Sequence, residues 1–182
     1  EALMECARVR GRARAWLLDS LGIAQSFDFD FQRPARRLML VDVGFMQRLF
    51  FYVGAGLVSD RIAHLVAKTE RTALQQKLGE GIYLFAVKRA PFLRNIAPKL
   101  PVLEHTTGAV FEDMLHAARQ CLECCYSGEP RAFTERLRLR FPAHIPWNFD
   151  ESYAPELKEQ CWGYMHRILT RDIAPHTASC FE

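Results

Sequence analysis

Three cysteines, Cys121, Cys124 and Cys125, fall close together, with His116 shortly before them. Thiolates and imidazoles at short spacing are zinc donors, but a structural zinc site usually pairs two such clusters. Here there is no second Cys-x-x-Cys, so Cys161 and His166 would have to be recruited by the fold. The three cysteines also lie on a strongly periodic helix. Cys121 and Cys125 fall on its apolar stripe and behave as small core residues, and only Cys124 points off it. Core cysteines are therefore expected rather than a metal site. Histidines 64, 105, 116, 144, 166 and 176 are dispersed, without an HExxH or a G-x-S-x-G. Gly54-Ala-Gly56 and Gly79-Glu-Gly81 follow no expected strand and lack the Lys and Ser/Thr of a phosphate loop. The adjacent carboxylates Glu112-Asp113 and Asp150-Glu151 are common at helix starts and surfaces. No nucleophile has a base at hand, so no catalytic residue, metal or cofactor is expected.

The remaining chemistry is arginine. Arg33, Arg36 and Arg37 make one group, and Arg131, Arg136, Arg138 and Arg140 another. A patch of this kind can bind nucleic acid, but acidic residues are interspersed and no helix pair shows an exposed polar recognition face. The net charge of +3 is too small to imply nucleic acid by itself. A helical nucleic-acid-binding or regulatory protein is the alternative to a protein-binding role. In the latter, Arg36, Arg37, Arg136, Arg138 and Arg140 would meet acidic faces. Trp147 and Phe149, read as exposed, would be anchors buried on contact.

The elements that must position these residues are helical. Positions 38–58 are apolar on nearly every side of a helix. Leu38, Val41, Phe45, Leu49 and Tyr52 run down one face, and Leu40, Val43, Met46, Phe50 and Val53 crowd the others. Such a helix belongs inside a fold. Asp42 and Arg48 within it argue against a membrane span, and Pro34 is expected to open it. With 182 residues, 49% apolar and 25% charged, the chain has the makings of one soluble globular unit. It opens at Glu1 rather than Met, as a chain whose start is missing would. No signal peptide is expected, since Glu1 and Glu5 lie where a basic region should be. Reduced thiols in a cytoplasm follow.

In chain order, 1–21 reads as an amphipathic helix with four arginines (8, 10, 12 and 14), stopped at Gly22. An extended linker follows, pinning Phe27, Phe29 and Phe31 on the helices, so that 1–33 precedes a helical core of 34–182. Ser59 and Thr69 are expected to cap the next two helices, with Leu74 and Leu78 facing in. Gly79 and Gly81 bracket a break before a short apolar helix, and the prolines of 90–103 mark a connection. The clearest amphipathic helix is 107–126, capped by Thr106 or Thr107 and followed by Gly128. Pro130 starts a short helix, and RLRLRFP (136–142) alternates and is expected to leave it in extended form. A loop over 142–155 leads to a last helix that Pro155 begins and Pro175 ends. The expected fold is all-α, with six or seven helices around the buried central one.

This order of features resembles the SctK family of bacterial type III secretion systems, which includes YscK, PscK and OrgA-like proteins. The resemblance rests on the LMLVDVG central helix, Gly-Ala-Gly-Leu, Ile62-Ala-His-Leu-Val66, Gly81-Ile-Tyr-Leu-Phe85, RLRLRFP, and Met165-His-Arg-Ile-Leu169 with its Pro-His tail. It spans roughly 34–181. It implies a non-enzymatic, mainly helical adaptor on the cytoplasmic face of the inner membrane, peripheral to the membrane through its partners only. Those partners would be the cytoplasmic domain of the SctD-like inner-membrane ring protein and the SctQ-like pod protein of the sorting platform. It implies no activity, cofactor or nucleic-acid binding, and it transfers no contact residue.

Overall fold

The structure is a computed structural model that describes residues 7–26, 30–101 and 109–181. Its α-helices are α1 (Ala7–Ser20), α2 (Val43–Leu57), α3 (Ser59–Ala63), α4 (Lys68–Leu78), α5 (Glu80–Lys88), α6 (Val110–Tyr126), α7 (Arg131–Arg138) and α8 (Pro155–Ile168). Short 3-10 helices occupy Pro34–Leu40, Ala90–Ile96 and Pro175–Phe181, and a π turn covers Leu169–Ile173. The described residues contain no strand, so the all-α expectation holds, with eight α-helices where six or seven were expected.

The central helix is shorter than its apolar run. Pro34 opens a 3-10 helix instead, and Val41 and Asp42 are extended. Asp42 is not a charge inside the helix but its N-cap: its Oδ1 accepts from the Phe45 backbone N–H at 2.8 Å. A carboxylate there satisfies an orphan donor and meets the positive end of the helix dipole, together about 1 kcal/mol or more. From Met46 onward α2 is largely buried, while Val43 and Arg48 at its start are exposed. Two expected caps do not form. Ser59 is buried at the first position of α3, and Thr69 lies inside α4, which begins after the extended Ala67. Gly79 takes a φ of +77°, which L side chains rarely adopt, and so breaks α4 from α5; Gly81 sits within α5. Phe27, Phe29, Thr106 and Thr107 lie outside the described residues.

α2 packs most extensively on α6, and also on α5 and α8. Glycine makes the α2–α6 approach possible. A Cβ on Gly54 would fall inside contact distance of the Met114 carbonyl oxygen, 2.9 Å from Met114 Cγ and 3.1 Å from Ala118 Cβ. Leu74 and Leu78 face inward as expected, as do Cys161, Tyr164, Met165, Ile168 and Leu169. One aromatic row ties the loop 142–154 to the core. Ring centroids lie 5.3 Å apart for Phe50–Phe141, 4.8 Å for Phe141–Trp147 and 5.3 Å for Trp147–Phe149, the last pair nearly parallel. Among the described residues no helix is long and apolar enough to cross a membrane.

Candidate partner-binding surface

Most of the arginines singled out by sequence do internal work. Arg36 donates from Nε to Glu129 Oε2 at 2.8 Å and from Nη1 to the Asp30 carbonyl and carboxylate. The Glu129 side chain is 2% exposed, and Arg33 also reaches it. A carboxylate so buried needs its cation, because an unpaired buried charge is strongly destabilising. Arg37 donates to the carbonyls of Phe31 at 3.0 Å and Cys180 at 3.1 Å, joining the segment before the first 3-10 helix to the last one. Arg140 donates to the carbonyls of Met39 and Val41, which the end of the 3-10 helix leaves without helical partners. Burial lowers its pKa, against an opposing pull from Asp42. Arg136 donates to the carbonyls of Ala132 at 2.9 Å and Ile23 at 3.0 Å, and is half-buried.

The expected extended form of RLRLRFP does not occur. Leu139 N–H donates to Glu135 O at 3.1 Å, and Phe141 N–H to Arg138 O at 3.1 Å, so helical turns continue to Phe141. The physical consequence is a different grouping of side chains. In a strand, positions 136, 138 and 140 would share a face. In the helix Leu137 is buried, Leu139 is exposed, and the three arginines diverge.

What shares a face instead is Arg131, Thr134, Glu135 and Arg138, at the three-four spacing of α7. With Trp147, Phe149 and Asp150 they line one surface cleft of about 420 Å³. Arg138 reaches Glu135 Oε1 at 3.2 Å and the Trp147 carbonyl at 3.3 Å. Three of the seven singled-out residues therefore meet here, and Arg36, Arg37, Arg136 and Arg140 do not line it. Trp147 is not the exposed aromatic that was expected: it is 7% exposed, a wall of the cleft rather than a projecting anchor. Its indole N–H is buried and has no hydrogen-bond partner among the described residues. Phe149 stacks on it, half-buried. Arg131, Thr134 and Glu135 were legible as a face from their spacing once 131–138 is read as helix. Asp150 comes from the loop and carried no such signal.

Glu123 went unnoticed in the sequence. It is buried on α6 and accepts from the Asn148 backbone N–H at 2.5 Å, which fixes the loop under Trp147. Burial raises its pKa, partly offset by the Asn148 hydrogen bond and by Arg119. The cysteines occupy the α6–α8 contact. Cys121, Cys124, Cys125 and Cys161 are all buried, so Cys124, expected to point off the stripe, points into the core. The Cys124 thiol is held up in pKa by its hydrogen bond with Cys161 and then by burial, and that of Cys125 chiefly by burial. Among the described residues no three His, Cys, Asp or Glu groups are arranged to hold a metal ion.

Fold and surface together define an all-helical protein whose distinctive outer feature is a charged, aromatic-walled cleft. Residues 4–177 match the family described as YOP proteins translocation protein K (YscK), and the chain belongs to that family, a component of type III secretion protein translocation. The match begins well before Pro34, so α1 is part of it, whereas the resemblance seen in the sequence started at the central helix. No curated protein and no solved structure matches the chain significantly.

Proposed function

We propose that this protein is a non-enzymatic adaptor of the secretion apparatus. It links the cytoplasmic domain of an SctD-like inner-membrane ring protein to an SctQ-like pod protein, and lies at the cytoplasmic face of the inner membrane through those contacts. The observation that carries this reading is the family match over nearly the whole chain. The geometry supports it in one respect. An adaptor needs a rigid body with separate surfaces, and the cleft between α7 and the loop 142–154 is held rigidly by the Phe50–Phe141–Trp147 row and by Glu123. The internal engagement of Arg36, Arg37, Arg136 and Arg140 leaves less basic surface for nucleic acid than the composition offered.

The test is a pull-down of the tagged chain from secretion-competent cells, read by mass spectrometry. Ring and pod proteins are expected together, and recovery of neither would refute the reading. The cleft is tested by Arg131→Glu with Arg138→Glu. Arg136 is left alone because its bonds to Ala132 and Ile23 are structural. The double variant is expected to weaken one partner on the order of tenfold while folding normally. Unchanged capture of both partners by a folded double variant removes the cleft from the interface.

A further inference from the structure

α1 is at odds with the rest of the molecule. It reads ARVRGRARAWLLDS, with arginines at 8, 10, 12 and 14 and a single acid, Asp19, at its far end. Arg10, Arg12 and Arg14 are exposed, and among the described residues neither Arg12 nor Arg14 is paired with a carboxylate. Gly11 weakens the helix, and a Cβ there would meet nothing within 4 Å, so no close packing demands it. Trp16 is 71% exposed, one turn beyond Arg12 on the same face. No helix packs extensively along α1 among the described residues. It is tethered at its end by the buried Ile23, whose carbonyl accepts from Arg136. Among the described residues, Arg12, Arg14 and the Trp16 indole are therefore left uncompensated.

We infer that α1 is a docking arm for an acidic protein surface, with Arg12 meeting a carboxylate beside an apolar slot that Trp16 enters on the same face, and Arg14 reaching a further carboxylate around the helix. The charge sign selects an anionic partner, and the distribution of side chains selects protein over lipid. A helix lying on a bilayer needs a broad free apolar face with its cations opposite. Here Val9, Ala13 and Leu17 form one narrow stripe that is already half-buried, and arginines flank it on both sides. Arginine and tryptophan are also the residues that most often carry interface affinity. Identifying the partner as a component of the secretion apparatus rests on the adaptor reading above.

The experiment places the photoreactive p-benzoylphenylalanine at position 16 of the full chain, in secretion-competent cells. A covalent adduct with the ring or pod protein is expected. Arg12→Glu with Arg14→Glu should reduce its yield about tenfold, and Arg12→Lys with Arg14→Lys should retain it. No adduct at position 16, in cells where the tagged chain still co-purifies with the ring or pod protein, would overturn the inference and leave the adaptor reading intact. An adduct that survives charge reversal would also overturn it. So would salt-sensitive, Arg12- and Arg14-dependent binding of the chain to phosphatidylserine vesicles, which would assign the arm to lipid. If instead the tagged chain recovers neither ring nor pod protein, yet a charge-dependent adduct forms with another component of the apparatus, the arm stands and the adaptor reading falls.

Discussion

Gly54→Ala tests the packing that places every other element. The substitution adds one methyl on α2 where it crosses α6. In a helix interior, alanine in place of glycine favours the fold by about 1 kcal/mol. Against this, the new Cβ lands within the contact radius of the Met114 carbonyl oxygen, a backbone atom that cannot rotate away. Ala118 Cβ at 3.1 Å closes the other side. Restoring ordinary contact requires the two helices to part by roughly 1 Å. Overpacking of this kind typically costs 1–3 kcal/mol, and a rigid backbone neighbour puts it at about 3. The net expectation is destabilisation of about 2 kcal/mol, which for a chain of this length lowers Tm by roughly 4–8 °C. Gly11→Ala is the control. It gains the same helix propensity on α1 with nothing within 4 Å of the added atom, and should be neutral to stabilising by up to about 1 kcal/mol. Urea unfolding followed by circular dichroism measures both. A Gly54→Ala protein as stable as wild type would refute the close α2–α6 crossing.

Glu129→Gln removes the buried carboxylate facing Arg36 and should destabilise by about 3 kcal/mol, the lower end for breaking a buried pair because Asp30 still holds Arg36. Arg33→Ala, on the more exposed cation of the same group, should change stability by less than about 1 kcal/mol by the same urea titration. Glu123→Gln should act through pH. Burial raises the Glu123 pKa in the folded state, so that state binds more protons than the unfolded chain as pH climbs above about 4.5, and wild-type stability falls through that window. Glutamine cannot ionise and can still accept from Asn148. The variant should therefore gain on wild type between pH 5 and pH 8 in urea midpoints, and a gap independent of pH would contradict the assignment. Arg131→Glu with Arg138→Glu should reduce capture of one partner on the order of tenfold by pull-down without lowering the urea midpoint by more than about 1 kcal/mol, since both side chains lie at the surface.

Local rules determined much of this protein from its sequence. The three-four recurrence of Met114, Ala118, Cys121, Leu122 and Cys125 marked α6. Pro155 marked the start of α8, and Gly22, Gly79 and Gly128 marked breaks where the chain takes positive φ. Each depends only on residues within a turn or two, which is why it was legible. The order of other short motifs, from LMLVDVG in the central helix to Met165-His-Arg-Ile-Leu169, carried the resemblance to the family that the match over residues 4–177 establishes. Tertiary structure decided where the charged and aromatic side chains went. Arg36 finds Glu129 across 93 positions and Arg37 finds Cys180 across 143, and Trp147 turns inward because Phe50 and Phe141 offer it a wall. Alternation in RLRLRFP suggested a strand, but the burial of Leu137 against the core favours the helical register, which separates the arginines and assembles the cleft with Arg131. Periodicity records which residues leave water; the neighbour that compensates each buried charge is chosen only when distant helices pack.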